Sequence, residues 1–273
     1  MHVDEQTIEV AGAPVFYRSA PVPADPALFL HSVPTSSDDW LTFLEHSGGV
    51  APDLPGFGRT GKAGNLDYSL TGYVEFLERF VDAVELERFA LVGHGWGAAI
   101  GLAFAQRHPD RVSRLVLIDA VPLLPGFSWP RIVRRWRLPG LGELLMGSVS
   151  RRMLTRTLRA GAVRDDAWTA ERLEAIWEHF DQGTQRAILR LHRSVDEAGL
   201  DRAGTALAQL EQPATVLWGE RDPWLPVAFA DAYGERLAGA RVERIAQAGH
   251  WPWLDRPEVI DRVTGLLAGA GGH

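Results

Sequence analysis

None of the chain's 273 residues is a cysteine, which excludes disulfides, thiolate nucleophiles and cysteine-ligated zinc. Lysine is nearly absent as well. Lys62 stands alone, and every other member of the 28 basic residues is arginine. Against 35 acidic residues these give a formal charge of −7, without the basic footprint that phosphate binding needs, so nucleic acid is not an expected partner. No long apolar run is present. The longest uncharged stretch, Phe89 to Gln106, is interrupted by four glycines and His94, and reads as strand-turn-helix rather than a membrane span. The N-terminus, MHVDEQTIEV, has no basic region leading into an apolar one, so no secretory signal is expected. Together with the missing cysteine this points to a cytoplasmic chain. No metal-ligand cluster or dinucleotide-binding glycine pattern appears, so no metal and no cofactor is expected. What remains is an ordinary globular balance, 46% hydrophobic and 23% charged, long enough for a large core. A monomer or homodimer acting on a small molecule, away from membranes, is the expectation.

Short apolar and β-branched runs alternate with helical patterns. TIEVAGAPVFYRS reads as a hairpin turning at Ala11-Gly12, and ALFLHS, GGVAP, FALVGH, VSRLVLIDAV, ATVLWGE and RVERI read as further strands. SLTGYVEFLERFVDAVEL carries apolar residues at helical spacing, with Ser69 or Thr71 as its cap, and PEVIDRVTGLLAG closes the chain as a helix. Strands alternating with helices imply an α/β fold with a mostly parallel central sheet covered on both faces. Residues 121–212 break the rhythm. They hold helical patterns such as DDAWTAERLEAIWEHF and GTQRAILRLHRSVDEAG but no strand run. The expected organisation is therefore a core of residues 1–120 and 213–273, with 121–212 inserted before the late strands as a helical lid over the sheet's C-terminal edge.

The stretch LVGHGWGAAI, residues 91–100, has the frame Gly-x-nucleophile-x-Gly on a strand-to-helix turn, with Gly95 at the nucleophile's place. Around it lie HSVPTSSDDW (31–40), APDLPGFGRTG (51–61), RLVLIDA (114–120), WGERDPWLP (218–226) and AGHWPWLDRPE (248–258). In this order the six stretches resemble the α/β-hydrolase superfamily along nearly the whole chain. The Trp after the nucleophile position, with the first two stretches, resembles the haloalkane dehalogenase and epoxide hydrolase branch. The resemblance implies His250 as the catalytic base and Asp222 as the acid that orients it, with Asp119 a second candidate acid. It implies an oxyanion hole from the backbone N–H groups of Val33 and Trp96, in a loop where Ser32 replaces the usual glycine. It also brings His31, Ser32, Trp129 and Trp251 towards the substrate.

Glycine tolerates a strained turn but has no atom with which to attack, so no covalent intermediate can form at residue 95. Gly95 fits either an introduced knock-out or a natural scaffold that acts without a covalent step. His94 is expected to pack beneath the sheet rather than replace the nucleophile. In dehalogenases the indole N–H of the Trp matching Trp96 helps hold the halide, but Val33 stands where they often carry Asn. Epoxide hydrolases use lid tyrosines, and none of Tyr17, Tyr68, Tyr73 and Tyr233 falls in residues 121–212. Nine arginines between 131 and 164, against Glu143 alone, read as a solvated face. The expected function is hydrolysis of a small, largely apolar ester, lactone or organohalide. Two alternatives are a cofactor-independent lyase, cyclase or isomerase using His250 as base, and a silent ligand-binding homologue.

Overall fold

Strands β1 (Asp4–Val10) and β2 (Ala13–Ala20) form an antiparallel hairpin. Its two turn residues, Ala11 and Gly12, both take positive φ (51° and 80°), the geometry that matches the twist of a two-residue hairpin. The computed structural model describes residues 1–22 and 26–269. The hairpin joins β3 (Ala27–Leu30), β4 (Gly49–Pro52), β5 (Phe89–His94), β6 (Val112–Ile118), β7 (Ala214–Gly219) and β8 (Arg241–Ile245) in one eight-stranded sheet of order β1-β2-β4-β3-β5-β6-β7-β8. The pairs of β1 with β2 and β2 with β4 are antiparallel, and all others are parallel. Every residue of β3, β4, β5 and β7 is buried, as expected of parallel strands with both faces covered.

Close packing at the centre depends on glycine. The helix Trp96–Arg107 lies so near β3 that a Cβ on Gly97 would fall 2.2 Å from the Leu30 carbonyl oxygen, and one on Gly93 would meet Ala98 Cα at 2.5 Å. The helix Leu70–Ala83 begins at Ser69, whose Oγ accepts the Gly72 N–H. Between β6 and β7 run helices Arg131–Trp136, Leu141–Gly147, Arg151–Ala160, Ala170–His179, Gln182–Ser194 and Glu197–Ala203, with no intervening strand. The last two differ from the single pattern read over GTQRAILRLHRSVDEAG. The chain extends at Val195 and starts a new helix after Asp196, whose carboxylate accepts the Gly199 N–H at 2.7 Å.

Buried carboxylates tie the loops at the sheet's C-terminal edge. Asp53 accepts N–H bonds from Ser37 and Arg59, each at 2.7 Å, joining the loops that follow β3 and β4. Asp255 accepts from Val163 and Arg164 with one oxygen and from Gly249 with the other, fixing the helical segment to the loop after β8. Among the described residues, no helix is long and apolar enough to cross a membrane.

Candidate active site

The loops after β7 and β8 bring Asp222 and His250 together. His250 Nδ1–H donates to Asp222 Oδ2 at 2.6 Å, and the carboxylate's other oxygen accepts the N–H groups of Trp224 (2.8 Å) and Leu225 (3.1 Å). The Asp222 side chain is wholly inaccessible, so its charge is met by three donors instead of water. The arrangement fixes the imidazole's tautomer and leaves Nε2 with a free lone pair. The His250 backbone is held too: its N–H donates to the Gly161 carbonyl (2.7 Å) and its carbonyl accepts His94 Nε2–H (2.7 Å). His94 is fully buried, its ring 4.6 Å from that of His250, and burial holds its pKa well below the usual range. It supports His250 from behind as a neutral donor.

Asp119, one residue past the end of β6, takes φ 41° and is completely buried. Its Oδ1 accepts the Gly219 N–H at 3.1 Å. Burial first, and the neighbouring Asp222 charge second, push its pKa well above the usual carboxylate range. Asp119, Asp222 and His250 bring one donor atom each to within 4.8 Å of one another. Within the trio, His250 Nδ1 and Asp222 Oδ2 are joined directly by the 2.6 Å hydrogen bond.

Across from His250, the chain turns from β5 into the helix at Gly95, with φ 51° and ψ −116°. A Cβ built there would lie 3.5 Å from His250 Nε2, so residue 95 sits directly before the imidazole. The same point is 2.2 Å from Ser32 Oγ and 2.7 Å from Ser32 Cβ. The volume of a residue-95 side chain is therefore already taken, by a residue from the loop after β3. The Trp96 N–H, expected to be available to a substrate oxyanion, instead donates to Ser32 Oγ at 3.2 Å. Glycine at 95 and a side chain at 32 are complementary, a relation set by a distance across the site that neither stretch of sequence carries.

An apolar cavity of about 520 Å³ opens over these groups. Ser32, Val33, Trp96, Trp129, His250 and Trp251 all line it. His31 does not. It lies behind the wall, fully buried, donating from Nδ1 to the Ser32 carbonyl (2.7 Å) and accepting the Leu54 N–H at Nε2 (2.8 Å). Its contact is with the loop rather than the cavity because both ring nitrogens are committed to backbone. Trp129 stacks on Trp96 at 5.6 Å, and its buried Nε1–H has no partner.

His192 was not singled out by the sequence. It sits on the buried face of helix Gln182–Ser194, where Nδ1–H donates to the Ile188 carbonyl (2.8 Å) and Nε2 accepts the Trp96 indole N–H (3.1 Å). Burial lowers its pKa to about 4, so it is neutral at physiological pH. The available signal was a lone histidine four residues after Ile188 on an apolar face. Of the nine arginines of residues 131–164, only Arg156 lines the cavity, and Arg137 alone is not exposed. None of the four tyrosines lines it; their hydroxyls donate to Gln6, Ala63, Pro55 and Val121.

Known proteins share this fold. The family described as alpha/beta hydrolase fold matches residues 25–257. A haloalkane dehalogenase of Bradyrhizobium diazoefficiens is 26% identical over 304 aligned positions, spanning 98% of this chain and 96% of its own length. Epoxide hydrolase 2 of Caenorhabditis elegans is 27% identical, spanning 90% of this chain and 74% of its own. Among solved structures, haloalkane dehalogenase DbeA from Bradyrhizobium elkani superposes with a TM-score of 0.86 at 26% identity, over 98% of this chain and 99% of that one. The protein is a member of the α/β-hydrolase fold family, similar in sequence and architecture to haloalkane dehalogenases and epoxide hydrolases.

Proposed function

We propose that the protein hydrolyses a small, largely apolar ester or lactone, with His250 as general base and Asp222 as the acid that orients it. The observation that carries this reading is the direction of the imidazole. Its Nδ1–H is fixed on a buried carboxylate and its free Nε2 lies 3.5 Å from the Cβ position of residue 95, beside an apolar cavity. A base so held contributes roughly 10²–10⁴-fold to a proton transfer. The helical segment 121–212 acts as the lid, supplying Trp129 and His192 to the cavity wall.

Three details favour esters over organohalides. Gly95 has no carboxylate to displace a halide, and Val33 has no side-chain donor to hold one. The Trp96 indole N–H, the remaining halide donor, is engaged by His192. Epoxides lack an acid, since all four tyrosines lie off the cavity. The test is turnover of p-nitrophenyl butyrate, 1-bromobutane and 1,2-epoxyhexane by the chain and its His250→Ala variant. Ester hydrolysis is expected, falling about 10²-fold or more in the variant, without bromide release or diol. Bromide release in the absence of ester hydrolysis would sink this reading.

A further inference from the structure

We propose that Ser32 is the nucleophile of this site, having taken over the position that residue 95 leaves without a side chain. The inference rests on the hydrolase reading above and names the oxygen that His250 activates. Ser32 Oγ lies 2.2 Å from where the Cβ of residue 95 would be, only about 0.7 Å beyond a carbon–carbon bond length. The hydroxyl is thus inside the volume of an elbow side chain, attached to the facing loop instead. His250 Nε2 is 3.5 Å from the same point, and both residues line the cavity.

The surroundings of Ser32 suit a developing alkoxide. The Trp96 N–H that donates to Oγ is the first amide of a twelve-residue helix, whose N-terminal end carries partial positive charge. The Ser32 backbone is pinned: its carbonyl accepts from His31 Nδ1 at 2.7 Å and from Thr35 Oγ1 at 3.0 Å. Only χ1 remains free to carry Oγ towards His250, and such catalytic hydrogen bonds often tighten only with substrate in place. Alanine would fill the same gap; the hydroxyl adds an oxygen where the family frame presents its attacking atom.

The reaction balances without a further reactant. Ser32 Oγ attacks the ester carbonyl carbon as its proton passes to His250 Nε2. The bond to the alcohol oxygen breaks, and the imidazolium returns the proton to that oxygen, leaving an acyl group on Ser32. Water then gives a proton to Nε2 and attacks the acyl carbon. The Oγ–acyl bond breaks, Ser32 recovers the proton from His250, and acid and alcohol are the products.

The absence of cysteine supplies a clean test, because a Ser32→Cys variant carries the chain's sole thiol. Its alkylation by iodoacetamide, followed against pH, should report a thiol pKa at least about one unit below the usual ~8.5. Adding His250→Ala should abolish the shift. In the unaltered chain, a dialkyl fluorophosphate should leave one adduct, mapped by peptide mass to Ser32 and absent from Ser32→Ala and His250→Ala. Ester hydrolysis by folded Ser32→Ala should fall by about 10²-fold or more. An ordinary thiol pKa, an adduct elsewhere or none, or Ser32→Ala activity within about threefold of the parent overturns the proposal. If that last result comes with loss of activity in His250→Ala, the hydrolase reading survives with water as the attacking oxygen. An adduct on Ser32 without ester turnover supports the nucleophile and removes the small-ester reading.

Discussion

The two sides of the cavity have been treated differently. On the His250 side, each residue type expected from its stretch of sequence is present, and the parts meet over long sequence separations: Asp222 on His250, His94 on the His250 carbonyl, Asp119 on Gly219. On the Gly95 side both residues depart from the types that the resemblance implies, and the two departures fit each other in space. The turn carries no side chain and the facing loop carries one, in the same 2–3 Å of space. The Ser32 side chain fills volume that a side chain at residue 95 would otherwise occupy, as a close-packed interior requires.

The largest effect should come from testing whether the His250 side works as its geometry implies. Asp222→Asn keeps the shape but removes the charge that steadies the imidazolium, and should lower kcat/KM for an ester by about 10³–10⁴. Asp119→Asn should change it by less than about threefold, because Asp119 Oδ1 is spent on the Gly219 N–H, and burial with the neighbouring Asp222 charge disfavours the ionised carboxylate. Steady-state kinetics on the two variants decides the matter. A reversed ranking would transfer the acid's role to Asp119 and undo the contrast between the two sides.

The other side can be broken by restoring a side chain to the turn. Gly95→Asp must adopt φ 51° and would place a Cβ 2.2 Å from Ser32 Oγ. Backbone strain costs about 1–3 kcal/mol and overpacking a similar amount, so several kcal/mol of lost stability are expected in urea titration. Ser32→Gly in the same chain should recover the overpacking share, appearing as a coupling energy of roughly 1–3 kcal/mol in the double-mutant cycle. Additive effects would mean that the two positions do not share their space.

The same contrast marks what could be read from the sequence. The parallel sheet was legible because buried strands are short, β-branched and spaced by helical periods, and FALVGH and ATVLWGE lie within a residue of where β5 and β7 form. The meeting of Asp222 with His250 was legible because each closes a motif of fixed order. The Ser32–Gly95 exchange was not, although both residues were noticed, since its meaning is a distance between loops 63 residues apart in the chain. His31 misled for a related reason. A histidine beside a substrate loop and one bonded to that loop's backbone look alike in one dimension. His192 was hidden in an amphipathic helix, where the pattern records which face is buried but not what it meets. The break at Val195 escaped because Asp196 reads equally well as a surface residue and as a cap.

His192 bears on both sides, since its bond to Trp96 engages the halide donor. Its pKa is about 4 in the folded chain against an ordinary 6.5, so between those values the unfolded chain binds more protons. Stability therefore rises with pH across that window, and the His192 contribution, roughly 3 kcal/mol, is present above pH ~6.5 and lost as pH falls towards 4. Asp39 runs the other way. Burial pushes it up to about 7, so its contribution declines as pH rises from about 3.8 to 7, and the parent's curve alone mixes two opposite slopes. The difference between the parent and His192→Gln cancels the Asp39 part. That difference, from urea titrations at pH 4 to 7, should move by roughly 3 kcal/mol in the variant's favour on acidification. A flat difference would mean that His192 keeps an ordinary pKa and is not held as the neutral acceptor of the indole N–H; Trp96 would then be free to hold a halide, and the case for esters over organohalides would lose its strongest support.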